Sequence, residues 1–324
     1  MEQVGFESVR KVFRHRPALF NWVGRERAGE TVALNDVSFS VGNADVVALL
    51  GPNGSGKTST LKLISTMLLP DAGAVRVGGS DARREAGEVR RQVGIAVATE
   101  RSFFPRLSAR ENLDFFGALD EVPRRERRGR IEEVLRATGL EEQSDTLVMK
   151  FSSGMYQKLG LARALVKRPR VLLLDEPTRS LDAAATAQLW AMIRAQSGAG
   201  TTVFVATHNF AEAAAVANRV LLLHRGELAA DRILKRPAAG RARADRFATH
   251  AAAASQRPGA DQIAEELRAL YFRATDERDR GGDSRVEAIS EPADFRCDGE
   301  RTASGPVEED TAGEELARGA GAGR

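Results

Sequence analysis

One eight-residue stretch constrains this chain more than any other. Gly51-Pro52-Asn53-Gly54-Ser55-Gly56-Lys57-Thr58 fits the pattern G-x-x-x-x-G-K-[ST]. The apolar run Val46–Leu50 precedes it, and a helical pattern over Lys57–Leu68 follows it. That strand–loop–helix setting is what the pattern needs to act. Glycines let the backbone turn tightly and bring its N–H groups onto phosphate oxygens. The helix N-terminus adds partial positive charge at the same place. Lys57 is then expected to reach the β- and γ-phosphates of a nucleotide, and the Thr58 hydroxyl to ligate Mg²⁺. Ser59 follows as part of the same binding turn.

A phosphate loop of this kind demands a parallel sheet with helices on its faces, and the rest of the chain supplies one. Gly94–Ala98, Val171–Leu174, Val203–Ala206 and Val220–Leu223 read as further strands, and Ala183–Ala195 and Ala211–Ala217 as helices. Residues 107–150 break the alternation. Leu113, Phe116, Ile131, Val134 and Leu135 recur among many charges, which predicts a helical insertion in an α/β core. Asp175-Glu176 follows the buried run Val171-Leu172-Leu173-Leu174. In open α/β sheets ligands lie beyond that end of the strands. Asp175 is expected to hold Mg²⁺ through water, and Glu176 to orient and deprotonate the attacking water.

Composition sets the limits of this reading. The 324 residues carry 48 Lys+Arg and 45 Asp+Glu, a formal net charge of +3, which argues against a chain built to neutralise nucleic acid along its length. The balance is uneven: residues 1–232 hold 33 basic and 27 acidic side chains, and residues 233–324 hold 15 and 18. The second part is rich in Ala, Gly, Arg and acids, so we expect a mostly disordered tail. Within it Ile263, Leu267, Leu270 and Tyr271 form a stripe that predicts a helix over 261–273. Cys297 is the single cysteine, which excludes a disulfide framework and a cysteine-based zinc finger. No run approaches the ~20 apolar residues of a spanning helix. Met1-Glu2-Gln3-Val4-Gly5 lacks the pattern of a signal peptide, and the expectation is a cytoplasmic chain.

Three further elements carry a family resemblance. Phe151-Ser152-Ser153-Gly154-Met155-Tyr156-Gln157 precedes Asp175. Ser180-Leu181-Asp182 follows Glu176-Pro177-Thr178. His208 follows Val203-Phe204-Val205-Ala206-Thr207. With the phosphate loop and the acidic pair, this order resembles the nucleotide-binding subunit of an ATP-binding-cassette (ABC) transporter over about residues 4–232. The resemblance implies a P-loop NTPase (RecA-like) core, a helical subdomain over about 107–165 and an antiparallel β subdomain. It implies that Ser152, Ser153 and Gly154 form the signature that meets ATP from a second copy. Asp182 lies at the dimer contact, and His208 contacts the γ-phosphate and positions Glu176. Ser180 or Asp182 also serves as a helix cap in the simpler reading. The signature departs from the usual LSGGQ at Phe151, Ser153 and Met155, a variant that resembles exporters more than importers.

Two assignments depart further. The position that usually offers Gln to Mg²⁺ falls on Thr99, with Glu100 beside it. Phe13 is the choice for stacking on adenine, with Phe20 and Trp22 as competitors from the segment Arg14–Thr31. The resemblance implies an ATPase whose cofactors are ATP and Mg²⁺. Its cassettes pair as a homodimer or heterodimer, head to tail, and drive export through a separate transmembrane permease. Contact with the membrane runs through that partner, at the cytoplasmic face of the inner membrane, and no direct nucleic-acid contact is expected. Phe103, Phe104 and Pro105 are candidates for docking the permease, or for core packing. The alternative is a non-transport ABC ATPase acting on DNA or ribosomes. One cassette, one cysteine and no heptad run count against it, and the absence of N-K-x-D counts against a GTPase.

Overall fold

The structure, a computed structural model, describes residues 2–14, 29–97, 103–179, 181–234 and 259–281, with side chains through 276 in the last segment. Among these residues the strands form two sheets. The larger has the order β10-β9-β3-β8-β7-β6, from β3 (Val46–Leu50), β6 (Val93–Val97), β7 (Val171–Asp175), β8 (Thr202–Thr207), β9 (Arg219–His224) and β10 (Glu227–Ile233). Its strands run parallel except β10, which returns antiparallel along β9. Side chains of β8 alternate between two cores. Val203 and Val205 face one that continues into the helical insertion, and Phe204 and Ala206 face one shared with the smaller sheet. Burial on both faces is why these strands read as unbroken apolar runs.

The smaller sheet is antiparallel, with the order β2-β1-β4-β5. It is built from β1 (Glu2–Arg14), β2 (Glu30–Gly42), β4 (Ala72–Val77) and β5 (Ser80–Asp81). Val4, Phe6 and Val9 of β1 and Leu34, Val37 and Val41 of β2 bury one face of it against the larger sheet. Helix α1 (Lys57–Ile64) runs from the phosphate loop beneath both. It stops four residues short of the expected Leu68. Thr66 adopts a left-handed φ of 62°, and the Leu68 amide folds back onto the Lys62 carbonyl at 3.0 Å, a closure that ends a helix. A short helix α2 (Ala86–Gln92) leads into β6.

The insertion between β6 and β7 is helical, with α3 (Ala109–Leu119), α4 (Arg124–Ala137) and α5 (Ser153–Val166). Ser108 and Glu111 form a reciprocal cap at the start of α3. Buried Asn112 accepts from the Phe104 amide and donates to the Phe104, Leu107 and Ser108 carbonyls, which pins the loop before α3. Helix α6 (Ala183–Gly198) follows β7, and α7 (Phe210–Val216) follows β8.

The helix expected over 261–273 occupies Ala260–Gly281 and is named α8. It docks through Ala264 and Leu267 onto Ala213, Ala214 and Ala217 of the α7 region. Its ring of Tyr271 meets Phe210 edge to face, with centroids 5.9 Å apart. The helix continues past 273 because Thr275 is buried as well and donates to the Tyr271 carbonyl at 2.9 Å. The compact unit accordingly includes α8 and runs to Gly282. The rest of the expected tail, 235–258 and 282–324, lies outside the described residues.

Candidate functional site

The phosphate loop leaves the C-terminal end of β3, which lies beside β8; β8 in turn lies beside β7. The ends of these three strands therefore bring Gly51–Ser59, Thr207–His208 and Asp175–Glu176 to one edge of the sheet. Gly56 enables the loop. Its φ is 106°, and a Cβ there would sit 2.8 Å from the Ala33 carbonyl oxygen and 2.7 Å from Leu34 Cδ2. Only glycine fits a left-handed backbone pressed that closely on β2. Gly56 is also the N-cap of α1 and provides no side-chain acceptor. The first N–H groups of α1 thus keep their hydrogen-bonding capacity for a ligand.

Lys57 is buried, and its Nζ donates to the Gly51 and Pro52 carbonyls, each at 2.8 Å. Burial holds its ammonium below the ordinary lysine value, opposed by the nearby charges of Glu176 and Asp175. Thr58 Oγ1 donates to Asp175 Oδ2 at 3.0 Å. Burial raises the Asp175 carboxyl above its ordinary range, while the Thr58 hydrogen bond pulls the other way. The Ser55 hydroxyl is buried with no hydrogen-bond partner. Such an orphan is costly in an apolar interior and is accounted for by a ligand oxygen. The loop thus fits a polyphosphate, and Thr58 with Asp175 presents the hard oxygen pair that Mg²⁺ takes. Pro52, Asn53 and Gly54 form the exposed crest of the loop, and Ser59 is half-buried in the first turn of α1.

Glu176 stands just past β7 with a φ of 45°, unusual for a residue with a side chain. Its amide donates to the Ala206 carbonyl at 2.9 Å. Its Oε1 lies 3.0 Å from His208 Nδ1. A carboxylate only accepts, so Nδ1 carries the proton in this pair. His208 is otherwise open, with 62% of its side chain exposed.

The signature lies apart from the phosphate loop. Ser152 caps α5 by accepting from the Met155 amide at 3.3 Å, and Asp182 caps α6 by accepting from the Ala185 amide at 2.7 Å. Ser152, Ser153, Gly154 and Asp182 line one shallow groove of about 300 Å³, and no phosphate-loop residue lines it. The cap reading of Asp182 and its place beside the signature hold together. Phe13 is on β1, half-buried, with Lys11 Nζ 5.8 Å from its ring centre. It pairs across to Thr31 of β2, the strand whose Ala33 and Leu34 crowd Gly56. Thr99, Glu100, Phe20, Trp22 and Ser180 lie outside the described residues.

Two side chains without an assigned role in the sequence reading also reach the site. Gln157 on α5 donates through Nε2 to the Pro177 carbonyl and, at 3.4 Å, to that of Glu176. Glu212 on α7 accepts from the hydroxyls of both Thr178 and Thr207. Gln157 closes the signature stretch but carried no role of its own there, and Glu212 did not stand out, because a Glu on a helix face has the look of a solvated residue.

Known proteins resemble this chain in sequence and in fold. The family model described as ABC transporter matches residues 34–179. The daunorubicin resistance ATP-binding protein DrrA3 of Streptomyces coeruleorubidus is 37% identical over 206 residues, 64% of this chain and 65% of its own length. The match thus spans just under two thirds of that relative. The ABC transporter ATP-binding protein NatA of Bacillus subtilis is 34% identical over 196 residues, 60% of this chain and 80% of its own length. The solved dimeric structure of a post-hydrolysis state of the ATP-binding cassette MJ0796, bound to ADP and Pi, aligns with a TM-score of 0.62 and 25% identity. It covers 72% of this chain and 99% of that one.

Proposed function

This chain belongs to the family of ABC transporter ATP-binding proteins, and from that premise we propose that it hydrolyses ATP to drive a transporter. The observation that carries the reading is the convergence of Lys57, Thr58–Asp175 and Glu176–His208 at the ends of β3, β7 and β8. ATP lies with its phosphates along Gly51–Ser59 and its base toward Phe13. Lys57 exchanges its two carbonyl partners for the β- and γ-phosphates. Thr58 and Asp175 would hold Mg²⁺, which neutralises phosphate charge when bound. His208 holds Oε1 of Glu176, leaving its second oxygen to take a proton from water. The water oxygen then bonds to the γ-phosphorus, the bridge to the β-phosphate breaks, and ADP and phosphate leave.

Two copies are proposed to stack head to tail, each presenting Ser152–Gly154 to the other's ATP. The separation of the signature groove from the phosphate loop within one chain supports this. So does the dimeric state of the MJ0796 cassette. ATP then favours the closed dimer because the γ-phosphate binds both copies, and ADP does not. The chemistry is assigned to residues 1–232, with α8 as a docked addition.

Among the described residues no helix is long and apolar enough to cross a membrane. The proposed permease docks on the aromatic group of Phe103, Phe104, Phe115 and Phe116. Phe104 and Phe115 pack edge to face at 4.8 Å and still expose 44% and 45% of their surface. An outward direction is supported by the resemblance of the Met155-ended signature to exporters and by a relative named for drug resistance. The test is Glu176→Gln. It is expected to lower turnover about 10²–10⁴-fold while keeping ATP bound and trapping a dimer visible by light scattering. Turnover at the wild-type rate would overturn the assignment of the base.

A further inference from the structure

Two bridges join the loop after β7 to the loop after β8. One is the Glu176–His208 contact at 3.0 Å. The other uses Glu212, in the first turn of α7. Thr178 Oγ1 donates to Glu212 Oε1, and Thr207 Oγ1 donates to Glu212 Oε2 at 2.7 Å. Thr178 is two residues past Glu176, and Thr207 is immediately before His208. A single carboxylate thus clamps the loop after β7 to the last residue of β8, one oxygen on each.

The direction of these bonds is fixed by chemistry. Thr207 Oγ1 accepts from the Asn209 amide at 3.0 Å, so its own proton is free to go to the carboxylate. An acid in the first turn of a helix is ordinarily explained by the helix dipole, which asks for no side-chain partner. Glu212 has two, one from the loop after β7 and one from the end of β8, and among the described residues it forms no ion pair. Hydrogen bonds to a carboxylate are shorter and stronger than neutral ones.

The two loops have reason to need the clamp. Glu176 carries a left-handed backbone, which is strained for a residue with a Cβ and persists only where neighbours enforce it. His208 is largely exposed, and Glu176 is its recorded side-chain partner. The frame behind them is firm. Asn209 caps α7 by accepting from the Ala211 amide at 2.9 Å, and Phe210 is held by Tyr271 of α8.

We propose that Glu212 is a positioning residue for hydrolysis: by clamping Thr178 and Thr207 it sets the separation of Glu176 and His208. The proposal rests on the hydrolysis reading above. Glu212 touches neither the nucleotide nor the water. Its removal loosens the approach of base to phosphorus, and misplacement of about 1 Å is enough to cost on the order of 10²-fold in rate.

The experiment measures steady-state turnover of the full chain with Mg²⁺ and ATP. Glu212→Ala is expected to lower kcat about 10- to 100-fold, with the KM for ATP changed by less than about threefold. Glu212→Gln is expected to restore most of that loss, because a threonine hydroxyl both donates to the amide oxygen and accepts from its nitrogen. Thr178→Val with Thr207→Val should match Glu212→Ala, and adding Glu212→Ala to the double variant should cost little more. A loss carried by KM rather than kcat, a kcat loss that Gln fails to restore, or full additivity with the threonine pair would overturn the clamp. Wild-type turnover in Glu212→Ala would overturn it while leaving the hydrolysis reading intact if Glu176→Gln is dead. Turnover that survives Glu176→Gln would remove both.

Discussion

The strand-end half of the site and the signature half are built on different principles. At the strand ends charges are buried and tied together. Lys57 and Asp175 depart in opposite directions from their ordinary proton affinities, both through burial, and the Ser55 hydroxyl lacks a partner. In the signature groove Ser152 and Asp182 are exposed and are satisfied locally, Ser152 by α5 and Asp182 by α6. The first half pays desolvation to hold reactive groups ready for a ligand. The second has no stored cost and no deep pocket. A surface of that kind gains its function from something brought to it, which is what a second copy carrying ATP would do.

The comparison is easiest to break at Lys57. Replacing it by Ala removes the ammonium expected to bind phosphate, so ATP affinity should fall about 100-fold or more in an equilibrium binding measurement. Wild-type affinity would mean that the strand-end half does not hold the phosphates. Ser152→Ala probes the other half. It removes the cap of α5, a loss of about 1 kcal/mol in thermal unfolding. ATP affinity of the single copy should stay unchanged while ATP-driven dimer formation is lost. A dimer that still forms would contradict the division of roles.

Asp175→Asn sharpens the contrast in a quieter way. A carboxyl whose proton affinity is raised in the folded state opposes folding once pH rises through that raised value, because the unfolded chain ionises more readily. The nucleotide-free Asn variant should therefore melt at a higher temperature than the wild type at neutral pH. The gain should vanish as pH falls below the ordinary carboxylate range, where both states are protonated. Turnover should be lost all the same. A variant no more stable at neutral pH than the wild type would show that burial does not burden Asp175.

Much of the strand-end half was legible in the sequence. The reason is that its backbone demands are local: glycines at a turn, apolar runs with acids at their ends, a histidine directly after a strand. Five of the six strands of the larger sheet were legible for the same reason, with ends moved by a residue or two; β10 was not, because Glu227–Ile233 mixes charged residues with alanines. What escaped was set by tertiary contact. Helix α1 ends at Ile64 because Thr66 turns left-handed, which no helical periodicity reveals. Helix α8 runs past its apolar stripe because Thr275 finds a buried seat. Glu212 looked like any first-turn acid until Thr178 and Thr207 were seen to converge on it from positions about 30 residues apart in sequence. Such a clamp has no spacing of its own to detect.

The left-handed backbone of Glu176 bears on how this protein can be stabilised. Glycine at that position would accept the conformation without strain, a relief worth roughly 1 kcal/mol. It would also delete the carboxylate. The relief would be offset by the freedom glycine gives the unfolded chain and by the lost contact with His208. Easing the backbone at this one residue is therefore no simple route to a more robust protein, and under the proposed hydrolysis it would remove the group that turnover needs.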